Sequence, residues 1–228
     1  MTQSLSSTRF SQRLAGFVLG AAALLAMVAI SHHPVARARR GPEMFEAINQ
    51  LASTDRAVHG ALIVIMFAMI FSFTVYTLTR PRLSICVLAW VAFFAGSMCV
   101  IGAALTDGFF VPTFAEHYPH TAPTDTGPAL AILNASAVVI QVLTKFGFLA
   151  LSAGTLFWSI DLVLDRGPSR LIGLLGLLAS LAVAALLIFA GALNPHSLLI
   201  IVALQALWYL AISYWMIASV SRQPTAVD

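Results

Sequence analysis

Residues 57–79 read AVHGALIVIMFAMIFSFTVYTLT, and this stretch contains no Asp, Glu, Lys or Arg. At a rise of about 1.5 Å per residue, an α-helix over these residues is long enough to cross the roughly 30 Å hydrocarbon core of a bilayer. Backbone N–H and C=O groups find no water inside a bilayer, so they have to pair within the segment, and a helix pairs nearly all of them. The stretch therefore predicts a transmembrane helix.

The whole chain shares this apolar character. It has 228 residues, of which 60% are hydrophobic and 9% are charged, whereas soluble domains carry about 25% charged residues. The mean hydropathy is +0.92. This composition excludes a water-soluble globule, a disordered chain, a fibrous protein and a disulfide scaffold. The net charge is only +3 and the basic residues are scattered, so we expect the lipid bilayer, and no nucleic acid, as a partner.

Five further stretches resemble residues 57–79, and charged, polar or proline-containing segments bound them. They predict an all-α fold, a polytopic integral membrane protein with six transmembrane helices in one bundle that forms a single domain over residues 1–228. The apolar runs lack the alternation typical of barrel strands. The predicted spans cover about residues 14–31, 57–79, 83–105, 129–160, 171–192 and 197–219.

The distribution of arginine predicts an N-in/C-in orientation, with both termini in the cytoplasm, because positively charged loops are translocated poorly. The basic outer flank of the first span is the exception to this rule. We expect a multi-pass protein of a bacterial-type inner membrane. The predicted cytoplasmic side holds Arg9, Arg13, Arg80, Arg82, Arg166, Arg170 and Arg222, and the predicted outer side holds Arg37, Arg39, Arg40 and Arg56.

The first span has a second interpretation, as a secretory signal peptide. Arg9 and Arg13 precede its apolar run, and the small residues of Ala36-Arg37-Ala38 follow it as in a cleavage site. Pro34 and the neighbouring arginines suit a protease poorly, and the run is long for a signal peptide, so we expect the span to be retained. Both interpretations place the residues that follow on the outer side.

Two outer loops are predicted, over residues 32–56 and 106–128. Four apolar residues at helical spacing lie in the first of them: Met44, Phe45, Ile48 and Leu51. Such a stripe predicts a short amphipathic helix that lies in the membrane interface. The run Ser53-Thr54-Asp55 then predicts the N-cap of the second transmembrane helix.

Histidine is confined to one side of the predicted bundle. It is the commonest metal ligand and the usual acid or base near neutral pH, so this asymmetry indicates where a site would lie. In the predicted topology, all the histidines lie at or beyond the outer boundary: His32, His33, His59, His117, His120 and His196.

Carboxylates occur on the same side. Asp107 ends the third predicted span, and Glu116 and His117 follow it closely. Oxygen and imidazole donors of this kind bind Zn²⁺ or Cu²⁺. The spacing matches no known metal motif, and the alternative is a solvated loop with its aromatic residues in the membrane interface, which we favour for His120 and Asp125.

Lys145 is the only lysine in the chain and lies within the fourth predicted span. A cation at mid-membrane costs about 2.5–3.5 kcal/mol on insertion scales, so it usually faces a bundle interior and has a partner there. Asn134 and Gln141 share its helical face and favour a contact with another helix. The alternative is that the lysine stem runs along lipid and its ammonium group reaches the headgroups.

The depths of these residues predict one pocket that opens on the outer side. We expect His59, Asp107 and Lys145 to be its catalytic residues, and His59, Asp107, His117 and His196 to be candidate ligands of a divalent metal, Zn²⁺ or Cu²⁺. These residues come from different helices or loops, as is usual for sites built in the core of a bundle.

The predicted function is a site at the lipid–water boundary that binds a metal ion or acts on a lipid headgroup or a periplasmic small molecule. No nucleophile elbow, zinc-protease motif or phosphate loop defines a reaction. Two alternatives stay open: a non-catalytic partner or assembly subunit of another membrane protein, and a small-solute transporter that uses the Lys145 face. A b-type haem is disfavoured, because only His59 and His196 approach the depth of an axial ligand.

Overall fold

The structure, a computed structural model, describes residues 2–34, 43–118, 127–165, 167–189 and 191–221. Throughout these ranges the regular elements are helices, which confirms the all-α prediction. Their bounds are α1 Thr2–Ser31, α2 Glu43–Leu78, α3 Leu83–Leu105, a π-helical turn Thr106–Phe110, α4 Val111–His117, α5 Gly127–Val163, α6 Ser169–Phe189 and α7 Pro195–Ser221.

Six helical segments of the described chain are long and apolar enough to cross a membrane. They are α1, α2, the continuous run of α3, the π-helical turn and α4, then α5, α6 and α7. The prediction of a multi-pass membrane protein is therefore confirmed at this level. The N-in/C-in orientation and the inner-membrane location stay predictions.

These helices pack around a common interior. Helix α1 contacts α2 and α7, α3 contacts α2 and α5, and α6 contacts α5 and α7, so the contacts close a ring. Small residues allow the close approach of α3 and α5. A Cβ atom on Gly96 would lie 2.6 Å from the carbonyl oxygen of Gly147.

Three of the helical runs are much longer than a bilayer is thick. Helix α2 has 36 residues and α5 has 37, which at about 1.5 Å per residue exceeds the roughly 30 Å hydrocarbon core. The ends of α2, α4 and α5 pack together in a second small core, which we call the headpiece (residues 43–56, 111–118 and 127–134). Its buried residues are Phe45, Ala115, Ala129 and Leu133.

In the headpiece, two helix boundaries differ from those predicted: the start of α2 and the end of the α3 run. The apolar stripe of residues 44–51 is helical as predicted, but α2 runs without a break from Glu43. Ser53-Thr54-Asp55 therefore lies inside α2 and does not cap it. Residues 106–117, expected to begin an outer loop, continue α3 as helix. Whether the first turns of α2 lie in the membrane interface stays a prediction.

Some predicted features lie outside the described residues. These are the basic flank and candidate cleavage site at Ala36, Arg37, Ala38, Arg39 and Arg40, the loop residues His120 and Asp125, and the topogenic Arg166 and Arg222.

Helix α1 is an integral part of the bundle. Its side chains Ala15, Leu19 and Ala23 have no exposed surface, and the hydroxyl of Ser213 on α7 donates a hydrogen bond to the Gly16 carbonyl at 2.7 Å. Removing α1 would uncover these contacts, which favours the interpretation as a retained span.

Aromatic side chains fill the middle of the ring. Phe73 stacks on Trp158 with ring centroids 4.4 Å apart and on Trp208 at 5.8 Å, and it lies 4.6 Å from Phe93. None of the four rings has exposed surface. We call this group the aromatic block.

Beyond the aromatic block, a charge network joins the α2–α3 turn to the end of α5. Arg80 Nε donates to Asp161 Oδ2 at 2.5 Å, and its Nη2 donates to Asp165. Arg82 adds a bond to Asp165 Oδ1 at 2.8 Å. Burial alone would raise the pKa of Asp165, but the hydrogen bonds from Arg80 and Arg82 outweigh it and hold that pKa below its usual value. The guanidinium of Arg80 also lies 5.2 Å from the Trp215 ring of α7.

Candidate metal centre

At the other end of the ring, His33, His59 and Asp107 converge. The Nε2 atoms of the two histidines are 3.2 Å apart. Asp107 Oδ2 lies 3.3 Å from His59 Nε2 and 3.7 Å from His33 Nε2. His59 is 3% exposed, whereas the side chains of His33 and Asp107 are 17% and 31% exposed, so the cluster is buried on the His59 side and partly open on the other.

Hydrogen bonds at the opposite ring nitrogens fix the direction of both imidazoles. His59 Nδ1 lies 2.9 Å from the Asp55 carbonyl oxygen and 3.0 Å from Asp55 Oδ1. His33 Nδ1 lies 2.9 Å from the Pro34 carbonyl oxygen. A carbonyl only accepts, so each Nδ1 carries the proton and donates it. Both Nε2 lone pairs are thereby available toward Asp107.

The backbone around Asp107 has a special geometry. Asp107 and Gly108 lie in the π-helical turn that joins α3 to α4, and such turns are frequent at functional sites. The wider turn carries Gly108 against His59, and a Cβ atom on residue 108 would lie 2.5 Å from the His59 Cγ. Only glycine leaves room there for the imidazole.

The three donor atoms have the spacing of ligands around one small ion. Zinc bonds of about 2.0–2.1 Å at tetrahedral angles place neighbouring ligand atoms about 3.3 Å apart. Octahedral angles with similar bonds give about 3 Å. The observed separations of 3.2, 3.3 and 3.7 Å are closer to the tetrahedral value.

No protein-family model, curated protein or solved structure matches this chain. The chemistry of the cluster follows from its own donors. Two histidines and a carboxylate hold Zn²⁺ in hydrolytic enzymes and leave the fourth position open. The same donor types hold Fe²⁺ in oxygenases, with more open positions.

Two of the predicted site residues meet in this cluster, namely His59 and Asp107. The structure does not bring His117, His196 or Lys145 into it. His117 is exposed and its Nδ1 lies 2.8 Å from the Thr113 carbonyl oxygen. His196 is exposed at the start of α7. We therefore leave His117 and His196 out of the proposed ligand set, and Lys145 out of the proposed site.

The polar face of α5 contacts the α6–α7 connection. The Gln141 side chain donates to the Leu193 carbonyl and accepts from the Leu193 N–H, each at 2.9 Å. Lys145 Nζ donates to the Gly191 carbonyl. The sequence favours a helix contact for this face over lipid, and the partner is the connection between two helices.

From the sequence, His33 was not expected among the metal ligands, and Asp55 was expected in the N-cap of the second transmembrane helix. His33 follows the end of α1, and its position relative to α2 depends on how the two helices pack. The i,i+4 spacing of Asp55 and His59 could have indicated a hydrogen bond on one helical face, but the predicted helix start at residue 57 concealed it.

Two cavities adjoin the cluster. The inner cavity, of about 190 Å³, lies between the helices below it. The outer cavity, of about 230 Å³, lies under the headpiece. His33 and Asp107 line both cavities, so the cluster stands at the boundary between them.

Proposed function

We propose that this membrane protein binds one zinc ion through His33 Nε2, His59 Nε2 and Asp107 Oδ2, with the fourth coordination position open. The observation that carries the proposal is the convergence of two imidazole nitrogens, both hydrogen-bonded through Nδ1 on the far side, on one carboxylate oxygen. Metal-ligating histidines almost always donate their second N–H in this way.

An ion with an open position can do two things. It lowers the pKa of a bound water to about 7 and so supplies hydroxide as a nucleophile, or it polarises an oxygen atom of a substrate. Asp55 orients His59 and raises its basicity as a ligand. In the predicted orientation the site faces the outer side, where lipid headgroups and periplasmic small molecules are its candidate substrates.

Metal analysis of the purified protein tests the proposal. After dialysis against zinc-free buffer and reloading, we expect about one equivalent of zinc in the wild type and a loss of most of it in His33→Ala, His59→Ala and Asp107→Ala. Removing one of three ligands should weaken binding by more than the 10–100-fold typical of their hydrogen-bond partners.

Three matched variants serve as controls. His117→Ala, His196→Ala and Lys145→Met should keep the zinc content of the wild type, because none of these side chains belongs to the cluster. Equal zinc loss in the controls and the ligand variants would overturn the proposed ligand set. Absence of zinc from the reloaded wild type would overturn zinc binding, and tight binding of iron in its place would reassign the metal.

A second candidate function is proton storage or transfer by the same three side chains. The observation in its favour is that two nitrogens 3.2 Å apart repel each other unless a proton or a cation lies between them. Nitrogen-15 spectra of metal-free protein distinguish this case, since a shared proton shifts both Nε2 signals, and Asp107→Asn should alter that sharing.

A further inference from the structure

We infer that the inner cavity holds the hydrocarbon chain of a single-chain amphiphile, whose oxygen-bearing headgroup takes the open position on the metal. This inference rests on the proposed zinc site and names the class of ligand that the site would take. The inference concerns the binding of this amphiphile and no reaction of it.

The depth of the inner cavity matches one leaflet of a bilayer. His59 and Met69 both line it, and they are ten residues apart on α2, which corresponds to about 15 Å. The hydrocarbon core of a bilayer is about 30 Å thick, so one leaflet is also about 15 Å. A chain anchored at the metal would therefore reach the bottom of the cavity at the depth where lipid tails end.

The volume of the inner cavity leaves room for one chain at most. Its volume is about 190 Å³, compared with about 150 Å³ for an engineered cavity that binds benzene. Two acyl chains side by side need far more space. The cavity therefore selects for a ligand with one slender apolar part.

Apolar side chains dominate the lining below the cluster. His33, His59 and Asp107 form the polar end, and Ile30, Leu62 and Met66 are among the apolar residues below. A polar solute would lose its hydrogen bonds to water along this mostly apolar lining, at a cost of a few kcal/mol for each group left without a partner. A hydrocarbon chain loses none.

The polar groups at the bottom of the cavity bond to one another. Gln205 Nε2 donates to Ser152 Oγ at 3.3 Å, and Tyr209 donates to Gln205 Oε1 at 3.4 Å. These bonds allow the end of an apolar chain to rest there without leaving a buried donor or acceptor unpaired.

The test uses dodecanoic acid that carries a photoreactive diazirine at the end of its chain. The protein is placed in nanodiscs of dioleoylphosphatidylcholine, loaded with zinc or treated with a chelator, irradiated and mapped by peptide mass spectrometry. We expect zinc-dependent labelling at Met69 or Tyr209, at the bottom of the inner cavity. The lipid-facing Val64 and Phe67, which are 68% and 56% exposed, report labelling from the bilayer in the same samples.

A pair of variants on α1 tests occupancy of the cavity. Ala26 lines it, so Ala26→Leu should reduce labelling at the bottom by about fivefold or more through overpacking. Ala21 is exposed on the same helix, so Ala21→Leu should leave labelling unchanged. Zinc content, measured on each sample, shows whether the site itself is intact.

The outcomes separate the inference from the proposed function. Labelling confined to Val64 and Phe67 in zinc-loaded protein, or labelling at Met69 that does not respond to Ala26→Leu, overturns the inference and leaves zinc binding standing. Labelling at the bottom that is equal with and without zinc overturns the placement of the headgroup on the metal. Failure to bind zinc overturns the proposed function directly, whatever the labelling pattern.

Discussion

Gly108 lies against the side chain of His59 so closely that a Cβ atom on residue 108 would stand 2.3 Å from the His59 Cβ and 2.8 Å from its Nδ1. The π-helical turn brings the two residues together and places Asp107, the neighbour of Gly108, beside His59 Nε2. The position of a candidate ligand thus depends on the absence of a side chain at the next residue.

Gly108→Ala should displace His59 and weaken zinc binding strongly, by about tenfold or more, because overpacking costs about 1–3 kcal/mol. Isothermal titration with zinc measures this loss. Gly102→Ala on α3 is the control, since its Cβ would only reach ordinary contact with Leu143 at 3.4 Å. Equal zinc affinities of the two variants would contradict this role of Gly108.

Asp55→Ala should lower zinc affinity by about tenfold, the lower end of the range for partners of metal-ligating histidines. The effect is moderate because the backbone carbonyl of residue 55 still accepts from His59 Nδ1. Asp55→Asn keeps an oxygen at this place and should lose less. The exposed Glu46, which lies elsewhere on α2, provides the control Glu46→Ala, for which no change is expected.

Arg80→Ala should reduce the free energy of unfolding by about 3 kcal/mol, because the buried carboxylate of Asp161 loses its closest partner and keeps only the longer, 3.3 Å bond from Arg82. Asp161 has no exposed surface and the Arg80 side chain is 4% exposed. Unfolding in mixed micelles measures the change. Arg82→Ala should cost clearly less, since that side chain is 37% exposed. Similar losses in both variants would show that burial does not set the strength of the network.

The stability of the protein should fall in acid partly through Asp165. Its pKa in the folded protein lies below the usual value of 3.8, so the folded state binds the proton less readily than the unfolded state does. The stabilisation is complete above about pH 5 and is lost as the pH falls through the lower, folded pKa. Asp165→Asn should therefore be less stable at neutral pH and show a flatter decline of the melting temperature below about pH 4. Parallel curves for the two proteins would refute the assignment.

Gln141→Leu should loosen the α6–α7 connection. It removes both hydrogen bonds to the Leu193 backbone, at a cost of about 1–3 kcal/mol. Hydrogen exchange of residues 191–194 should become faster. The lipid-facing neighbour Val142 is 59% exposed, so Val142→Leu should leave the exchange rates as in the wild type. Unchanged exchange in Gln141→Leu would mean that other contacts hold the connection.

The helices themselves could be predicted from the sequence, because hydrocarbon leaves the backbone few alternatives. The predicted spans around residues 83–105 and 171–192 agree closely with α3 and α6. The ends of the long helices were harder to predict from the sequence. The stripe of residues 44–51 was predicted as a separate short helix, and its packing on α4 and α5 accounts for its continuation into α2 without a break.

The candidate site could be predicted in part. Depth along the chain indicated His59 and Asp107, since both lie near the ends of apolar runs. Depth does not give the direction in which a side chain points around its helix, so Lys145 and His196 were grouped with them although they lie elsewhere. His33 was recognised as an outer histidine, but its contact with His59 depends on the packing of α1 against α2 and has no counterpart in local sequence.

The aromatic block determines whether a molecule can pass through the bundle from one end to the other. The inner cavity reaches Met69 and Tyr209, and just beyond these residues the buried rings of Phe73, Trp158 and Trp208 lie one upon another. A molecule that enters the inner cavity from the end that holds the histidines is stopped by these rings and has to leave the same way. In this conformation the inner cavity is closed at the aromatic block. Passage from it to the Arg80 end would require the stacked rings of three helices to separate.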